Sequence, residues 1–432
     1  MRLTLAVHTI TDVSFGPRTH LEGSRLQIDV EELRRCLLAD SRLQSVDLEL
    51  ALPGESVRVG YVFDILEPRA KEAGSGPDFP GILGPVAPVG QGTTHVLRGA
   101  AVTVVDGGQP SGEHGYASRR GGMSKALEMI GEAAKRSPYS EMRHLVIVPH
   151  AHPDVERHAV LNALRVASCR AAVFMARAAV GQPPDDADIF DLGISKTYEN
   201  NPPRVVYIGQ IHGHQHGTES DEHILYGSKT RGMMPTLMHP NEWLDGAVVI
   251  SYSWGARGLE TYFYQNHPII KELYRLHRTG EMNFVGVIAT TSSDQETEMK
   301  RNSMMAAQIA KWSLGADGVI LTKYVGGAPH TDMFETARSC ETLGLKTVVM
   351  TSDTATDGRA ESALLINTRE VDAIVSHSEG SDVQFQLPKV ERIIAGNPEV
   401  ANALADLAQL TPAEVCGVAN NQGASRLQPV IY

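Results

Sequence analysis

Three histidines alternate with other residues in a polar stretch near the middle of the chain. His212, His214 and His216 stand at i, i+2 and i+4, so their side chains share one face of an extended segment. Neutral imidazoles beside carboxylates suit Zn²⁺, Fe²⁺ or Mn²⁺. We therefore predict a divalent transition-metal site whose ligands come from His212, His214, His216, Glu219 and His223. The alternative is a polar loop whose histidines are exposed or bonded to the backbone.

A second group of polar residues follows in the segment MMPTLMHPNEWLDGA. His239 precedes a proline, which keeps the chain extended, and Glu242 enters what would be a helical turn. We predict catalytic roles for both, with Glu242 as a general base or a ligand. The alternative for Glu242 is structural, because Asn241 would cap a helix whose dipole favours a carboxylate in the first turn.

A glycine pair marks the third candidate, in the segment YVGGAPHTDMFE. Gly326 and Gly327 let the backbone approach a ligand closely, and we predict that they contact substrate. A helix beginning near Asp332 would point its amide groups at a carboxylate or phosphate bound there. His330 is predicted to be catalytic, and both His330 and Asp332 suit a ligand or a proton carrier.

The fourth candidate is a charged loop in the segment MTSDTATDGRAESA. Its charged residues are Asp353, Asp357, Arg359 and Glu361. Arg359 is predicted to clamp a substrate carboxylate with two parallel hydrogen bonds, and Asp353 to take part in catalysis. A salt-bridged loop without a ligand is the alternative.

Apolar runs precede three of these four candidates. From Pro203 onward, Val/Ile-rich runs alternate with segments of helical length, which is typical of a parallel sheet covered by helices on both faces. Open parallel sheets place ligands at the carboxyl ends of their strands, so the loops after these runs should carry the chemistry. The runs predicted as strands are RVVYIGQI, GAVVISYS, NFVGVIATTS, GVILTKYV, KTVVMTSD and AIVSHSE.

The first hundred residues instead alternate short β-rich runs with turns. We predict an α/β protein in which a small β-rich N-terminal domain precedes Rossmann-like, parallel-sheet α/β domains. The predicted parts are a β-rich domain over 1–115, an α/β segment with long helices over 116–200, and a parallel-sheet α/β domain over 201–432.

Composition excludes several classes of function. The chain has 432 residues, a formal net charge of -12 and no Lys/Arg block, which argues against binding nucleic acid or an anionic membrane surface. No apolar run reaches the roughly 18 to 20 residues that span a bilayer, and the start does not resemble a signal peptide, so a cytoplasmic location is expected. The four cysteines are scattered singly, without metal-type spacing, as is usual for reduced and buried thiols.

Segments along nearly the whole chain resemble the component B precursor of glycine, sarcosine and betaine reductases, to which the precursor of D-proline reductase is related. The succession MPTLMHPNE…DGA…YQNHPII is quite specific. Other segments that carry the resemblance are GESVRVGYVFDILEPR, FPGILG…THVLRGAAV, NNPPRVVYIGQI, LGADGVILTKYVGGAPHTD and LGLKTVVMTSD.

The resemblance implies a reaction in two components. The family precursor cleaves itself at an internal cysteine, which becomes a pyruvoyl group that forms a Schiff base with the substrate amine. A separate subunit carrying selenocysteine or cysteine then attacks, and the C–N bond is cleaved reductively. A partner resembling that thiol subunit, and hence a hetero-oligomer, is expected here as well.

This chain departs from the family pattern at that cysteine. It should lie between Asp245 and Tyr262, yet no cysteine occurs between Cys169 and Cys340. Ser251 and Ser253 are nearby, but neither aligns well with the family cysteine, near Ala256 or Arg257. No pyruvoyl group is therefore expected.

A second departure is the His-x-His-x-His run, which the family pattern lacks. A bound metal polarises a carbonyl or activates water, so we predict metal in place of the pyruvoyl group. The leading hypothesis is a metal-dependent subunit of a two-component enzyme acting on a C–N or related bond of a small molecule. One alternative is a true reductase subunit whose electrophile comes from serine or from the partner. The other is a non-catalytic assembly subunit.

Overall fold

The structure is a computed structural model that describes residues 1–107, 125–193, 201–213, 223–251, 258–324, 327–351, 370–376, 383–423, 426 and 430–431. Some predicted site residues lie outside these ranges, so their predictions stay open. They are His214, His216, Glu219, Gly326, Asp353 and Arg359.

The strands of the amino-terminal half form mixed sheets. They are β1 (Arg2–Thr9), β2 (Asp12–Gly16), β3 (His20–Glu22), β4 (Arg25–Asp29), β5 (Leu43–Ala51), β6 (Val57–Val59), β7 (Val62–Leu66), β8 (Arg69–Lys71), β9 (Gly92–Arg98), β10 (Ala100–Val105), β11 (Leu127–Glu128), β12 (Arg143–Ala151) and β13 (Asp186–Asp191). Helices α1 (Val30–Leu37), α2 (Gly131–Arg136) and α3 (Arg157–Arg177) accompany them.

The carboxy-terminal half holds the largest sheet. Its strands are β14 (Arg204–Gly213), β15 (His223–Leu225), β16 (Ser228–Lys229), β17 (Thr236–Met238), β18 (Asn283–Ser292), β19 (Gly318–Thr322), β20 (Lys346–Thr351), β21 (Ala373–Ser376), β22 (Phe385–Gln386), β23 (Arg392–Ile394), β24 (Gln409–Leu410) and β25 (Val430–Ile431). Its helices are α4 (Pro240–Leu244), α5 (Thr261–Gln265), α6 (Pro268–Thr279), α7 (Glu296–Gln308), α8 (Ala328–Thr342) and α9 (Pro398–Ala405).

Two four-stranded sheets dominate the first half, in the orders β13-β1-β9-β8 and β5-β12-β10-β7. Strands β12 and β13 belong by sequence to the predicted second part, yet they pair with β5, β10 and β1 of the first. Strand β23, near the end of the chain, pairs with β6. The first half is therefore held together by strand pairs between residues distant in sequence.

Helix α3 packs on the strands of both four-stranded sheets and on α1. By length and composition alone it could cross a membrane. Most of its apolar residues are instead buried in the core, among them Leu164, Ala167 and Met175. Its apolar character is accounted for by this packing.

The central sheet has the order β17-β18-β14-β19-β20-β21-β25, with antiparallel strands only at its two edges. Val206 and Ile208 of β14 pack on one face with α7 and α8, whereas Tyr207 and Ile211 pack on the other with α6. The mixed α/β fold and the parallel sheet covered on both faces are thus confirmed.

One predicted strand is wrong. The run GAVVISYS forms no ladder in the described residues up to Ser251, where Val248 makes a single isolated bridge to Leu225. Ala247 to Ile250 are nevertheless completely buried. An apolar run indicates only that its residues are buried. Here Ala247 and Val248 pack in one hydrophobic core and Val249 and Ile250 in another, so the run is buried without forming a strand of a sheet.

Candidate functional site

The five parallel strands of the central sheet define one place where a ligand site is expected. Numbered by their appearance in the chain, they lie in the order 2-1-3-4-5, so the strand order reverses between β14 and β19. Crossover connections leave opposite faces of the sheet at that point, which opens a crevice outside the carboxyl ends of those two strands. The residues that end β14 and follow β19 therefore form the candidate site.

Gln210, near the end of β14, ties the parts of this site together. Its side-chain nitrogen donates to the Asp332 carboxylate at 2.8 Å and to the Pro329 carbonyl at 2.9 Å. Its side-chain oxygen accepts from the Tyr324 amide at 3.0 Å. A single buried amide thus fixes the start of helix α8 and the chain after β19 relative to each other.

Asp332 and His330 are both buried at this point. Among the residues that the structure describes, neither Oδ2 of Asp332 nor Nε2 of His330 has a hydrogen-bond partner. Burial raises the pKa of Asp332 to about 7 against the hydrogen bond from Gln210, and nearby Glu335 raises it further. Burial, assisted by Lys323, lowers the pKa of His330 to about 3. At neutral pH the histidine is uncharged and the aspartate holds a proton for about half of the time.

Helix α8 begins one turn earlier than predicted. It starts at Ala328 with Gly327 as its N-cap in a left-handed conformation, so Thr331 and Asp332 lie inside the helix. Pro329 supplies no amide hydrogen, and the His330 amide donates to the Gly327 carbonyl at 3.0 Å. The sequence suggested a cluster of amide donors for an anion, but most of those donors are missing or already used within the turn.

Tyr324, the second residue after the end of β19, connects the site to His212 and Ser251. The ring of His212 stands edge-on to it with centroids 5.7 Å apart, and the Tyr324 hydroxyl is hydrogen-bonded to that of Ser251. The Tyr324 carbonyl accepts from Asn421 at 2.5 Å. All of these side chains are buried. Ser251, which belongs to the stretch between Asp245 and Tyr262 where the resemblance places the family cysteine, therefore lies at the switch point of the central sheet.

Three buried residues hold the chain on either side of residues 251–260, at Ile250 and at Thr261. Thr261 accepts a hydrogen bond from the Ile250 amide at 3.0 Å, so the two ends are joined directly. Asp64 accepts from the Thr261 hydroxyl at 2.6 Å and from its amide at 2.9 Å. Arg165 of helix α3 donates to the carbonyls of His223, at 2.9 Å, and of Ile250. Residues of the first half of the chain thus position the segment next to the site.

Asp64 makes the stability of this arrangement pH-dependent. Burial raises its pKa from 3.8 to about 7 in spite of its hydrogen bonds. Because the folded pKa is the higher one, the stabilisation from its bound proton is complete below about pH 4 and is lost as the pH rises through about 7. From pH 5 to pH 8 the loss is roughly 2–3 kcal/mol of unfolding free energy.

We expect Asp64→Asn to remove this part of the pH dependence. The melting temperature of the wild type relative to the variant should fall steadily from pH 5 to pH 8. Asp332, whose pKa is also about 7, contributes separately in the same window, so Asp332→Asn should remove a second part of the pH dependence and the double variant should lose both parts. A constant difference between wild type and Asp64→Asn at all pH values would show that Asp64 does not titrate there.

His212 and His223, the two predicted metal ligands within the described ranges, are both fixed by hydrogen bonds. Nδ1 of His212 lies 2.8 Å from the Thr230 hydroxyl, and Nδ1 of His223 lies 2.6 Å from the Gly227 carbonyl. Over the residues that the structure describes, no three side chains of the metal-binding types form a group. The described residues do not form the metal site predicted from the alternating histidines. The prediction remains open, because His214, His216 and Glu219 lie outside the described residues.

The hairpin that carries His223 is held by contact with the backbone of an earlier loop. A Cβ atom at Gly81 would lie 1.9 Å from the Tyr226 carbonyl oxygen, and one at Gly227 would lie 2.1 Å from the Gly81 carbonyl oxygen. Both glycines also have positive φ angles, +80° and +65°. Only glycine permits this approach at both positions, which fixes the location of His223.

His239 and Glu242 form the cap of helix α4. The Glu242 carboxylate accepts from the His239 amide at 2.7 Å and from the Tyr226 hydroxyl at 2.6 Å, while His239 Nδ1 accepts from the Asn241 amide at 3.2 Å. This reciprocal capping matches the structural alternative, with His239 rather than Asn241 as the cap.

Their position also separates them from the switch point. Strand β17 ends at Met238 and runs antiparallel to β18, so His239 lies towards the amino ends of the parallel strands. Burial, with the chain's N-terminal ammonium as a smaller cause, lowers the pKa of His239 to about 4. The structure brings His330, Gly327 and His212 to the carboxyl edge and does not bring His239 or Glu242 there.

Sequence reasoning missed Gln210, Tyr324, Asp64 and Arg165. Gln210 and Tyr324 each adjoin an apolar run that was treated only as a strand, and a polar or aromatic residue at the carboxyl end of such a run is the signal that would have found them. Arg165 lies 58 and 85 residues from its partners His223 and Ile250, and Asp64 lies 197 residues from Thr261, so no local pattern marks either residue.

The cysteines do not fit the pyruvoyl group that the resemblance implies. Cys169, Cys340 and Cys416 are buried, and Cys36 is partly buried. Cys169 and Cys340 belong to the cores around helices α3 and α8, and burial raises the pKa of both thiols, that of Cys340 to about 12. None of the four lies between Asp245 and Tyr262, where the resemblance places the family's cysteine.

Comparison with known proteins agrees with the resemblance. The model of the family of glycine/sarcosine/betaine reductase component B subunits matches residues 1–410. The glycine reductase complex component B subunits alpha and beta of Acetoanaerobium sticklandii are 33% identical over 400 residues, which cover 91% of this chain and 89% of that protein.

Relatives named for other substrates are similarly close. The sarcosine reductase complex component B subunit alpha of Peptoclostridium acidaminophilum is 33% identical over 402 residues, covering 91% of this chain and 89% of that protein. The betaine reductase complex component B subunit alpha of the same organism is 30% identical over 404 residues, covering 91% and 88%. No solved structure matches the chain. The chain therefore belongs to the family of glycine, sarcosine and betaine reductase component B subunits.

Proposed function

We propose that this chain is the component B subunit of a multi-component reductase that cleaves the C–N bond of a small amine or amino-acid derivative at the switch point of its central sheet. The observation that carries the proposal is the family match over residues 1–410, and the Tyr324–Ser251 hydrogen bond supports the choice of site. That bond links the family's reactive region to the carboxyl edge, where open parallel sheets bind ligands.

The site supplies groups suited to handling a proton. Asp332, with a pKa near neutrality and one oxygen that no described residue contacts by a hydrogen bond, suits proton transfer to a departing amine. Tyr324 and Ser251 add hydroxyl groups that donate or accept hydrogen bonds. Gly327 lies at the start of helix α8 beside them, where a substrate can come close to the backbone.

The electrophile that captures the amine is proposed to come from the partner subunit. No cysteine is placed to form a pyruvoyl group, and the Ser251 hydroxyl is buried and engaged with Tyr324. Ser253 lies outside the described residues. A thiol or selenol subunit, as in the family's two-component reaction, would complete a cytoplasmic hetero-oligomer with this chain.

Co-purification with the proteins encoded beside it tests this function. The complex should release ammonia, methylamine or trimethylamine from glycine, sarcosine or betaine when dithiothreitol supplies the two electrons, and the chain alone should release none. Intact-mass measurement should find one polypeptide of 46.8 kDa in the active complex. An active complex that does not need this chain would refute the proposal. Two fragments, one blocked by a carbonyl, would instead assign the electrophile to a serine of this chain.

A metal-dependent variant of this function is the second candidate, and one observation favours it. The Gly227 carbonyl can only accept a hydrogen bond, so Nδ1 of His223 carries a hydrogen, and in the neutral ring Nε2 is the nitrogen with the lone pair that a metal binds. Metal-binding histidines are commonly held in this way by a backbone carbonyl. His212 and His223 are the described residues that would contribute to the site, together with His214, His216 and Glu219.

Elemental analysis of protein purified without an affinity tag tests the metal. If the second candidate is correct, we expect close to one zinc, iron or manganese ion per chain and its loss in His223→Ala. His158→Ala, which changes an exposed histidine of helix α3, is the control and should keep the metal. Metal-free protein with full activity would exclude this candidate.

A further inference from the structure

The segment Asn-Asn-Gln-Gly at 420–423 lies across the carboxyl edge of the central sheet. Its second residue donates from Nδ2 to the carbonyl of Tyr324, after β19, at 2.5 Å. Its third residue contacts the hydroxyl of Tyr207, which is hydrogen-bonded at 2.6 Å to Thr322, the last residue of β19. A Cβ atom on its fourth residue would lie 3.0 Å from Cε of Met350, near the end of β20. The segment therefore lines the crevice that the proposed function uses.

The orientation of the Gln422 side-chain amide follows from its partners. Nδ1 of His267, the N-cap of helix α6, accepts from the Ile270 amide, so the hydrogen of this ring is on Nε2. Burial lowers the pKa of His267 to about 3, which keeps the ring neutral. Its Nε2 donates to the side-chain oxygen of Gln422 at 3.0 Å, and the Tyr207 hydroxyl lies 3.2 Å from the same oxygen. The oxygen is thus occupied, and the NH₂ group of Gln422 faces away from His267.

The side-chain amide of Asn420 is fixed in a similar way. Its oxygen accepts from the backbone amide of Gln422 at 2.7 Å, and because a backbone amide can only donate, the NH₂ group lies on the other side. Both side chains are completely buried. Among the residues that the structure describes, neither Nδ2 of Asn420 nor Nε2 of Gln422 has a hydrogen-bond partner. A buried donor left in this state costs about 1–3 kcal/mol, so two of them in one short segment point to a ligand that supplies acceptors.

The chemistry of these two groups selects the ligand. An NH₂ group only donates hydrogen bonds, so an ammonium group finds no acceptor there. A carboxylate has two oxygens that only accept, and its hydrogen bonds are strengthened by its charge. Gln422 and Tyr207 lie on the face of the sheet that α6 covers, whereas Asp332 belongs to α8 on the other face and is held by Gln210. The donors and the proton-transferring group thus flank the carboxyl edge from opposite sides.

We propose that Asn420 and Gln422 bind the carboxylate of the substrate, which is an amino acid or an N-alkylated derivative of one. This inference rests on the proposed function and adds the chemical class of its substrate. With the carboxylate held on the α6 side of the edge, the amine at the other end of the substrate is turned towards Asp332. Both residues lie beyond residues 1–410, which the family model matches, so the site is assigned from this chain's own contacts.

Isothermal titration calorimetry of the full-length chain tests this site with matched ligands. Glycine, sarcosine and betaine are each compared with the alcohol that has a hydroxymethyl group in place of the carboxylate, namely ethanolamine, N-methylethanolamine and choline. The wild type should bind at least one of the three carboxylates about tenfold or more tightly than the corresponding alcohol, because hydrogen bonds to a charged group are involved.

Matched variants assign the preference to the two amides. Gln422→Glu and Asn420→Asp keep the shape and the occupied oxygen, but they replace each NH₂ group by an oxygen that repels a carboxylate. Each should weaken binding of the preferred carboxylate by about tenfold or more and leave the affinity for its alcohol unchanged. Gln422→Met removes the donor without adding a charge and should also lose the preference. Gln295→Glu makes the same change at an exposed position just beyond β18 and should retain it.

The outcomes separate this site from the reductase function. A wild type without preference for any carboxylate over its alcohol, or a preference that persists in both Gln422→Glu and Gln422→Met, would overturn the proposal. An unchanged KM for amine release by a complex carrying these variants would also count against the site while leaving the function intact. Carboxylate-selective binding that the variants abolish, in a chain whose complex releases no amine, would retain the site and refute the function.

Discussion

Replacement of Asp245 by alanine is expected to lower the free energy of unfolding by about 3–5 kcal/mol, because it leaves the buried ammonium of Lys71 without its partner. The Asp245 carboxylate pairs with Lys71 and also accepts from the Gly90 amide at 2.7 Å and the Thr94 hydroxyl at 2.9 Å. Both members of the pair are buried. When Asp245 is removed, the Lys71 ammonium stays buried away from water with no carboxylate to offset its lost hydration.

Urea denaturation with matched variants measures this effect. Asp245→Asn keeps the shape and one acceptor, so it should be less harmful than alanine but still destabilising. Glu296→Ala breaks an exposed ion pair with Lys300 and should leave the urea midpoint unchanged, because solvent screens such pairs. An Asp245→Ala midpoint equal to that of Glu296→Ala would show that the buried pair does not stabilise the fold.

Substitution of Asp332 by asparagine is expected to lower turnover in the reconstituted complex by about 10²-fold or more, the usual contribution of a proton-transferring group. Asparagine keeps the shape and can still accept from Gln210, but it has no proton to give at any pH. In the wild type, activity should fall as the pH rises through about 7, because the acid form of Asp332 is then lost. The variant should lack that fall.

The control for this prediction is Asp294→Asn. Asp294 is an exposed aspartate just beyond the carboxyl end of β18, so it shares the edge of the sheet but not the burial of Asp332. It should retain turnover and the wild-type pH profile. If Asp332→Asn also retained both, Asp332 would have no part in proton transfer, and its protonation would matter only for stability.

Much of the carboxy-terminal fold could be predicted from local pattern. The runs RVVYIGQI, NFVGVIATTS, GVILTKYV, KTVVMTSD and AIVSHSE all contain strands of the central sheet. Continuous burial on both faces selects Val and Ile along the entire strand, which leaves a signal that needs no knowledge of partners. GAVVISYS shows the limit of this signal, since it is equally apolar and its residues 247–250 are buried, but its described residues form no ladder.

Side-chain roles were less predictable than strands. Glu242 is of a residue type that can act as a base, but its carboxylate already accepts hydrogen bonds from the Tyr226 hydroxyl and the His239 amide. His330 and Asp332 were identified from their loop, yet the lowered and raised pKa values come from burial, which the loop sequence does not reveal. The sequence shows which titratable groups are present, whereas their burial in the folded chain shifts their pKa values and so determines their charge.

The sequence by itself determined the family, the parallel sheet and the absence of a cysteine between Asp245 and Tyr262, because each is a property of residue types and their order along the chain. Only the tertiary structure decided that Gln210, Ser251, Tyr324 and Asp332 meet. Their meeting depends on the strand order 2-1-3-4-5, which places β14 beside β19 although more than 100 residues separate them. Hydrophobic periodicity indicates which face of a strand is buried, but it carries no information about which strand becomes its neighbour.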